Sequence, residues 1–379
     1  MKWVTNWSNA ISIATNKPER YTKDVTIRYP ICSVFDGEKI RITLDNFTGT
    51  EPVTFNSVTI ATTDIMDYCV LENTITDITF NGSKSVTLEA GQTIQSDEIE
   101  FKTTHGKDFS ISFYFKDYTS LKAAVITKGP LSRGYFSLED QTHNFELPMD
   151  LYKSCEWFYF LSDVEIYTSD SNKAILCFGD SITAERWPEF LQLQGLKENV
   201  AFPRKAASGG RILREYHNVR YESYGLKSET RIIHDTNIQG CEAIVILQGI
   251  NDIIHPVGRD ANPYRPWSDL PSAKDIIEGY RILIKHAKEK GLRVYFGTLI
   301  PFKGWRTYET FREIIKQEVN QWIRTTDEID GYIDFEKDLD DNYAFKAEFD
   351  SGDHLHPSSL GYQQMAKTAY EALKKYGEI

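Results

Sequence analysis

The sequence predicts a two-domain protein: an antiparallel β-sandwich, jelly-roll-like, followed by a flavodoxin-like three-layer α/β/α domain. Three observations carry this. The 379 residues are enough for about two domains. The first 170 residues read as short alternating strands. The remainder alternates continuous apolar runs with amphipathic helical stretches. The boundary is expected at residues 170 and 171.

The alternating segments are Val25 to Tyr29, Lys39 to Leu44, Val53 to Ile60, Ser85 to Leu88 and Phe109 to Phe115. Period-2 alternation of β-branched and aromatic residues marks strands with one buried face. Turn pieces such as Asp36-Gly37, Asn81-Gly82 and His105-Gly106 separate them. Many short strands at regular spacing indicate a sandwich.

Beyond Asn172 the pattern changes. Ala174 to Phe178, Ala243 to Leu247 and Arg293 to Leu299 are apolar runs of the kind a parallel strand buried on both faces requires. Asn199 to Phe202 and Tyr332 to Phe335 are shorter candidates. Helical spacing appears at Ile276, Ile277, Tyr280, Ile284 and Ala287, closed by Gly291. It recurs at Phe311, Ile314, Ile315, Val319, Trp322 and Ile323, and at Tyr362, Met365, Ala366, Ala369 and Leu373. Alternating strands and helices predict a covered parallel sheet, whose site lies at the carboxyl ends of the strands.

Composition excludes several functions. Asp and Glu number 55 against 43 Lys and Arg, a net charge of −12. With no basic block, nucleic acid is not an expected partner. No apolar run approaches the roughly 18–20 residues of a membrane span. The first residues lack the apolar core of a signal peptide, which predicts a cytoplasmic protein, or a secreted one if a leader was removed ahead of Met1. The five cysteines are scattered and form no metal or disulfide pattern. Cys177 and Cys241 sit in or beside apolar runs and read as packing residues. The oligomeric state is left open, a homodimer included.

Four polar segments punctuate the second half. Gly179-Asp180-Ser181 follows the first buried strand, where a turn meets a helix start. Ser181 alone reads most simply as a helix cap. Its setting, with helix-start N–H groups that stabilise negative charge, also suits a nucleophile. Ser208-Gly209-Gly210-Arg211 follows the second strand, where paired glycines let the backbone approach a ligand. Gln248 to Asp252 follows the third, and Asn251 there can aim an amide at an oxyanion or form an ordinary Asx turn. Asp353 and His356 lie three apart before the last helix, a spacing that lets a carboxylate orient an imidazole toward a serine. A metal pair made by His354, His356 and Asp353 is the weaker alternative, for want of further ligands at suitable spacing.

Taken together and in order, the four segments resemble the SGNH (GDSL-type) hydrolase superfamily. Gly179-Asp180-Ser181, Gly210, Gly249-x-Asn251-Asp252 and Asp353-x-x-His356-Pro357 match its four blocks, and the tetrapeptide that gives GDSL enzymes their name reads Gly-Asp-Ser-Ile here. The resemblance spans about Ala174 to the C-terminus. It implies Ser181 as nucleophile, His356 as general base and then acid, and Asp353 as its orienting carboxylate. It further implies an oxyanion hole from the N–H groups of Ser181 and Gly210 and the Asn251 side chain. No cofactor or metal is implied, and Asp180 would be structural. A β-sandwich ahead of such a domain is similar in architecture to two-domain carbohydrate acetylesterases.

The substrate is narrowed less. Tyr264 and Trp267 lie on a long proline-rich stretch after Asn251, and Trp305 follows the fourth strand. These aromatics are candidate sugar-stacking residues or packing residues. Arg211 is a candidate substrate contact or an ion-pair partner. The expected activity is hydrolysis of acetyl or other short acyl esters, on a small molecule or oligosaccharide. A lipid-directed hydrolase, such as a lysophospholipase, is the alternative, disfavoured by the lack of an apolar lid segment. A catalytically idle sugar-binding protein is a third reading. The acidic balance suits neutral acylated sugars better than anionic membranes. The sandwich is expected to close one side of the cleft.

Overall fold

The computed structural model describes residues 1–13, 21–148, 156–215, 226–257 and 265–379. The chain divides into two compact units, Met1–Lys173 and Ala174–Ile379.

The first unit is built from antiparallel sheets. One five-stranded sheet centres on Gly37–Asp45, flanked by Leu161–Thr168. A second centres on Asp108–Phe115, between Val25–Cys32 and Ser57–Thr62. Alternate residues of both sheets, including Ile40, Ile42, Val164, Ile27, Tyr29, Ile111 and Phe113, enter one buried apolar cluster. The sequence reads Val53 to Ile60 as one strand, but the structure divides it into Val53–Phe55 and Ser57–Thr62. Asn56 is the corner: its N–H donates to the Tyr114 carbonyl, its side chain accepts from the Lys116 N–H, and the two pieces pair with different strands.

The second unit carries a parallel sheet. Its strands are β1 (Lys173–Gly179), β2 (Val200–Ala201), β3 (Arg204–Ala206), β4 (Cys241–Leu247), β5 (Arg293–Gly297) and β6 (Gly331–Ile333). They lie in the order β2-β1-β4-β5-β6, with β3 also pairing β1. This is the flavodoxin-like order the sequence predicts. β1 and β4 are buried along nearly their whole length, as covered parallel strands must be.

Helices pack in two groups. Trp187–Gly195 and Phe335–Leu339 both lie against the C-terminal helix Ser359–Lys375. In the other group Ala273–Glu289 lies between Ser228–Asp235 and Thr310–Thr325. The expected apolar stripe of the C-terminal helix, Tyr362, Met365, Ala366, Ala369 and Leu373, is buried throughout. Ser272 and Asp275 form a capping box ahead of Ala273–Glu289.

Helix Thr310–Thr325 departs from its expected face. Val319 and Ile323 are buried, but Phe311 and Ile314 are exposed, while Arg312, Glu313 and Lys316 turn inward. The inward charges have partners: Lys316 pairs with Glu313 at 3.0 Å and Glu336 at 2.7 Å. Pairing of this kind offsets part of the desolvation cost that otherwise keeps a lysine at the surface.

Candidate active site

The reversal of strand order falls between β1 and β4, and in such sheets ligands bind outside the carboxyl ends of the strands at that point. Ser181 follows β1 and Asn251 follows β4, so they stand on either side of it. Gly179 ends β1 where the chain is too crowded for a side chain. A Cβ there would lie 2.4 Å from the Leu247 carbonyl oxygen and 2.4 Å from the Thr183 hydroxyl. The guanidinium of Arg231 donates to the Gly179 carbonyl at 2.9 Å and lies over the Phe178 ring, bracing the turn.

Asp180 caps the short helix Ser181–Ala184, accepting from the Ile182 N–H at 3.0 Å. The cap is therefore Asp180, and the Ser181 hydroxyl is free for another task. Burial pushes the Asp180 carboxyl up to about 7, against the Ile182 hydrogen bond and the nearby His356. Its Oδ2 is buried with no hydrogen-bond partner among the described residues.

Ser181 Oγ lies 3.0 Å from His356 Nε2, and His356 Nδ1 lies 2.7 Å from Asp353 Oδ2. Residues 175 apart in the sequence are thus brought within hydrogen-bond reach. The other oxygen of Asp353 accepts the N–H groups of Leu355 at 2.9 Å and His356 at 2.8 Å, and the Ser351 hydroxyl at 3.1 Å. Burial opposes ionisation of Asp353, but the hydrogen bonds from the His356 ring and these amides prevail and hold it well below the usual carboxylate range. Burial likewise opposes a charged His356. The Asp353 hydrogen bond, with the carboxylates of Glu185, Asp353 and Asp180, outweighs it and raises the imidazole above the ordinary histidine value.

Asn251 is buried in the first turn of the helix Ile250–Ile254, and its Nδ2 donates to the Gly210 carbonyl at 3.1 Å. Gln248 donates to the same oxygen at 2.7 Å. Asp252, pushed up to about 6 by burial, accepts the N–H groups of Ile212 at 2.8 Å and Leu213 at 3.1 Å. The β3 loop and the Asn251 turn are thereby locked together.

Gly210 departs from its expected role. Its N–H donates to the Ala207 carbonyl at 2.9 Å, closing a tight turn, and so is committed within the loop. The glycine pair shapes the turn, and Gly210 offers its carbonyl as the anchor for Asn251.

Arg211 is also corrected. It is fully buried, and its guanidinium donates to Asp269 at 3.2 Å and to the Glu215 carbonyl at 2.7 Å. It serves as an internal ion-pair partner that fixes the loop and does not face a substrate. Trp267 is half-exposed, edge-on to the Phe311 ring at 5.9 Å, with the Arg312 guanidinium 5.4 Å from its ring. Trp305 is half-buried against the core, with the Arg306 guanidinium over its ring at 4.5 Å. Tyr264 lies outside the described residues.

Sequence reasoning missed Arg231, which braces the nucleophile turn, and Glu185, which accepts from the Tyr362 hydroxyl at 3.1 Å beside His356. No local motif marks either. Burial pushes the Cys177 thiol far above its ordinary value and the Cys241 thiol up to about 12, which disfavours the reactive thiolate in both.

A serine, a histidine and an aspartate at these distances are equipped for acyl transfer. Residues 177–364 match the GDSL-like Lipase/Acylhydrolase family. The second unit is a GDSL-type acylhydrolase domain. Solved structures similar to it include a carbohydrate esterase family 3 protein from Talaromyces cellulolyticus, at 17% identity and a TM-score of 0.37, covering 55% of this chain and 99% of that one. Another is a GDSL-like lipase from Bacteroides thetaiotaomicron, at 18% identity and 0.37, covering 54% and 88%. A third is the psychrotrophic esterase EstA from a Pseudoalteromonas species, at 15% identity and 0.38, covering 55% and 100%. At these identities and scores they say nothing of substrate. No curated protein matches the chain.

Proposed function

We propose that the protein is a serine esterase that removes acetyl or another short acyl group from a carbohydrate. The observation that carries the chemistry is the continuous hydrogen-bonded line from Ser181 Oγ through His356 to Asp353. Ser181 Oγ attacks the acyl carbonyl carbon, and its proton passes to His356 Nε2. The tetrahedral intermediate collapses as His356 returns that proton to the departing sugar oxygen, leaving an acyl-Ser181 ester. Water, deprotonated by His356, then attacks the ester and releases the carboxylic acid and free serine. Asp353 stays ionised throughout and stabilises the imidazolium.

The developing oxyanion falls to two donors. The Ser181 N–H has no protein partner among the described residues. Asn251 Nδ2 uses one of its two protons on Gly210 and keeps the other. A donor of this kind is worth about 3 kcal/mol in the transition state. The sugar preference is supported by the half-exposed ring of Trp267 beside the exposed Phe311, a face suited to a pyranose ring.

Ser181→Ala is expected to lose p-nitrophenyl acetate hydrolysis by about 10⁴-fold or more, together with labelling by a fluorophosphonate probe. Retained activity would refute the assignment. Acetate release from acetylated xylan, mannan, pectin and simple acetyl sugars then reads the carrier. In an acyl-length series, activity that climbs beyond about C8, at roughly 0.8 kcal/mol per buried CH₂, would point to a lipid substrate instead.

A further inference from the structure

The segment after Asn251 sits among arginines. Burial, with the charges of Arg211, Arg265, Arg306 and Arg312 acting on it, holds the His255 imidazole well below the ordinary histidine range. Arg211 is neutralised by Asp269. Arg312 is buried and donates to the carbonyls of Ile253 and Pro256. Glu309 contributes to its field, yet no carboxylate pairs with Arg312 among the described residues. Arg306 is exposed, stacks on Trp305, and likewise has no carboxylate partner among the described residues. Two guanidinium groups thus stand without an ion pair on one short stretch, whose own carboxylates are Glu309 and the Lys316-paired Glu313.

The placement of Arg306 ties it to the site. Thr307 Oγ1 donates to the Ile254 carbonyl at 2.8 Å, fastening this loop to the end of the Asn251 helix. At its other end Gly304, with φ +106°, abuts the histidine loop: a Cβ there would lie 2.8 Å from His354 Cγ. The loop follows β5, so it emerges at the same end of the sheet as Ser181 and Asn251. Residues 304 to 307 therefore run from the Asn251 side of the cleft to the His356 side.

A guanidinium centred over an indole ring keeps its planar fork of donors, which fits a carboxylate, sulfate or phosphate in two parallel hydrogen bonds. We propose that the alcohol part of the substrate carries a compact oxyanion of this kind, and that Arg306 is the specificity-determining residue that binds it, with Arg312 keeping the surroundings positive. The proposal rests on the esterase reading above and names the carrier: an acylated acidic sugar, as a uronic acid or a sulfated or phosphorylated unit.

The test is a matched set of methyl glycosides acetylated at one position, identical except for a neutral CH₂OH, a carboxylate, a sulfate or a phosphate at C6. The wild-type kcat/KM for the best anionic member is expected to exceed the neutral one on the order of ten- to a hundredfold, as one charged hydrogen-bonding contact allows. The preference should shrink as salt is raised. Arg306→Gln should bring the ratio toward one, Arg306→Lys should restore it only in part, and Arg306→Glu should invert it. The anion giving the highest ratio identifies the source. A wild-type ratio at or below one for all three anions overturns the proposal, and so does a ratio that Arg306→Gln leaves unchanged. Hydrolysis of p-nitrophenyl acetate by the wild type separates the two failures. If it is present while the ratio is flat, only the anion assignment falls; if it is absent, the esterase reading falls and takes this one with it.

Discussion

His356 and His354 stand two residues apart in one loop, and each has Nδ1 against an aspartate: Asp353 at 2.7 Å and Asp350 at 2.5 Å. By local pairing alone they are equivalent. They differ in where the rest of the ring goes. His356 is the less exposed, with 23% of its side chain accessible, and its Nε2 meets Ser181. His354 has a left-handed backbone, φ +63°, and is 49% accessible, with its ring against Gly304. Asp350 spends its Oδ1 on the N–H groups of Gly352 at 2.8 Å and His354 at 3.1 Å. One dyad organises the loop, and the other is aimed across the cleft. A histidine–carboxylate pair is thus not in itself a catalytic signature; the destination of the second ring nitrogen decides.

The comparison can be broken by substitution. Asp353→Asn should lower kcat by about 10⁴-fold with the fold intact, because the amide cannot stabilise the imidazolium and favours the wrong tautomer. Circular dichroism alongside single-turnover kinetics would check both halves of that statement. Asn251→Ala should cost about 10²–10³-fold in kcat, the effect of one oxyanion donor, with part of it traceable to a loosened Gly210 carbonyl.

A pH profile sharpens the same contrast. The base is neutral His356, so activity must rise as pH climbs through its pKa, which lies above the ordinary value of 6.5. The acid limb of kcat/KM should fall above 6.5, and in any residual activity of Asp353→Asn it should move down, since the hydrogen bond that raises the pKa is weakened. A wild-type limb below 6.5 would contradict the assigned network. The smallest effect is expected at the other dyad. His354→Asn, which tolerates the left-handed backbone, should change kcat by less than about threefold, as loss of a half-exposed pair ordinarily does little.

Much of this is legible in the sequence, and the division follows from physics. Ser181, Asn251, Asp353 and His356 are readable because each lies on a short segment at a predictable end of a parallel sheet. Arg211 was not, because adjacency to Gly210 does not fix side-chain direction; it turns inward to Asp269, 58 residues along. Gly210 kept its place and changed its function, since the sequence shows a flexible pair but not which group the turn will use. Arg231, Glu185 and Arg306 act through contacts made only after folding, and nothing local announces them. In the first unit the alternation from Val53 to Ile60 is unbroken, so the change of sheet at Asn56 is invisible until the partners on either side are known.

The contact between Gly304 and His354 has a bearing on how the enzyme can vary. Any side chain at 304 would have to displace the ring of His354, which stands in the loop that carries His356, while also bearing the cost of a positive φ. The stretch that selects the alcohol and the stretch that holds the base are therefore inherited as one piece. A new preference can be acquired by exchanging Arg306, which points outward, but not by rebuilding the backbone beneath it without a matching change at His354.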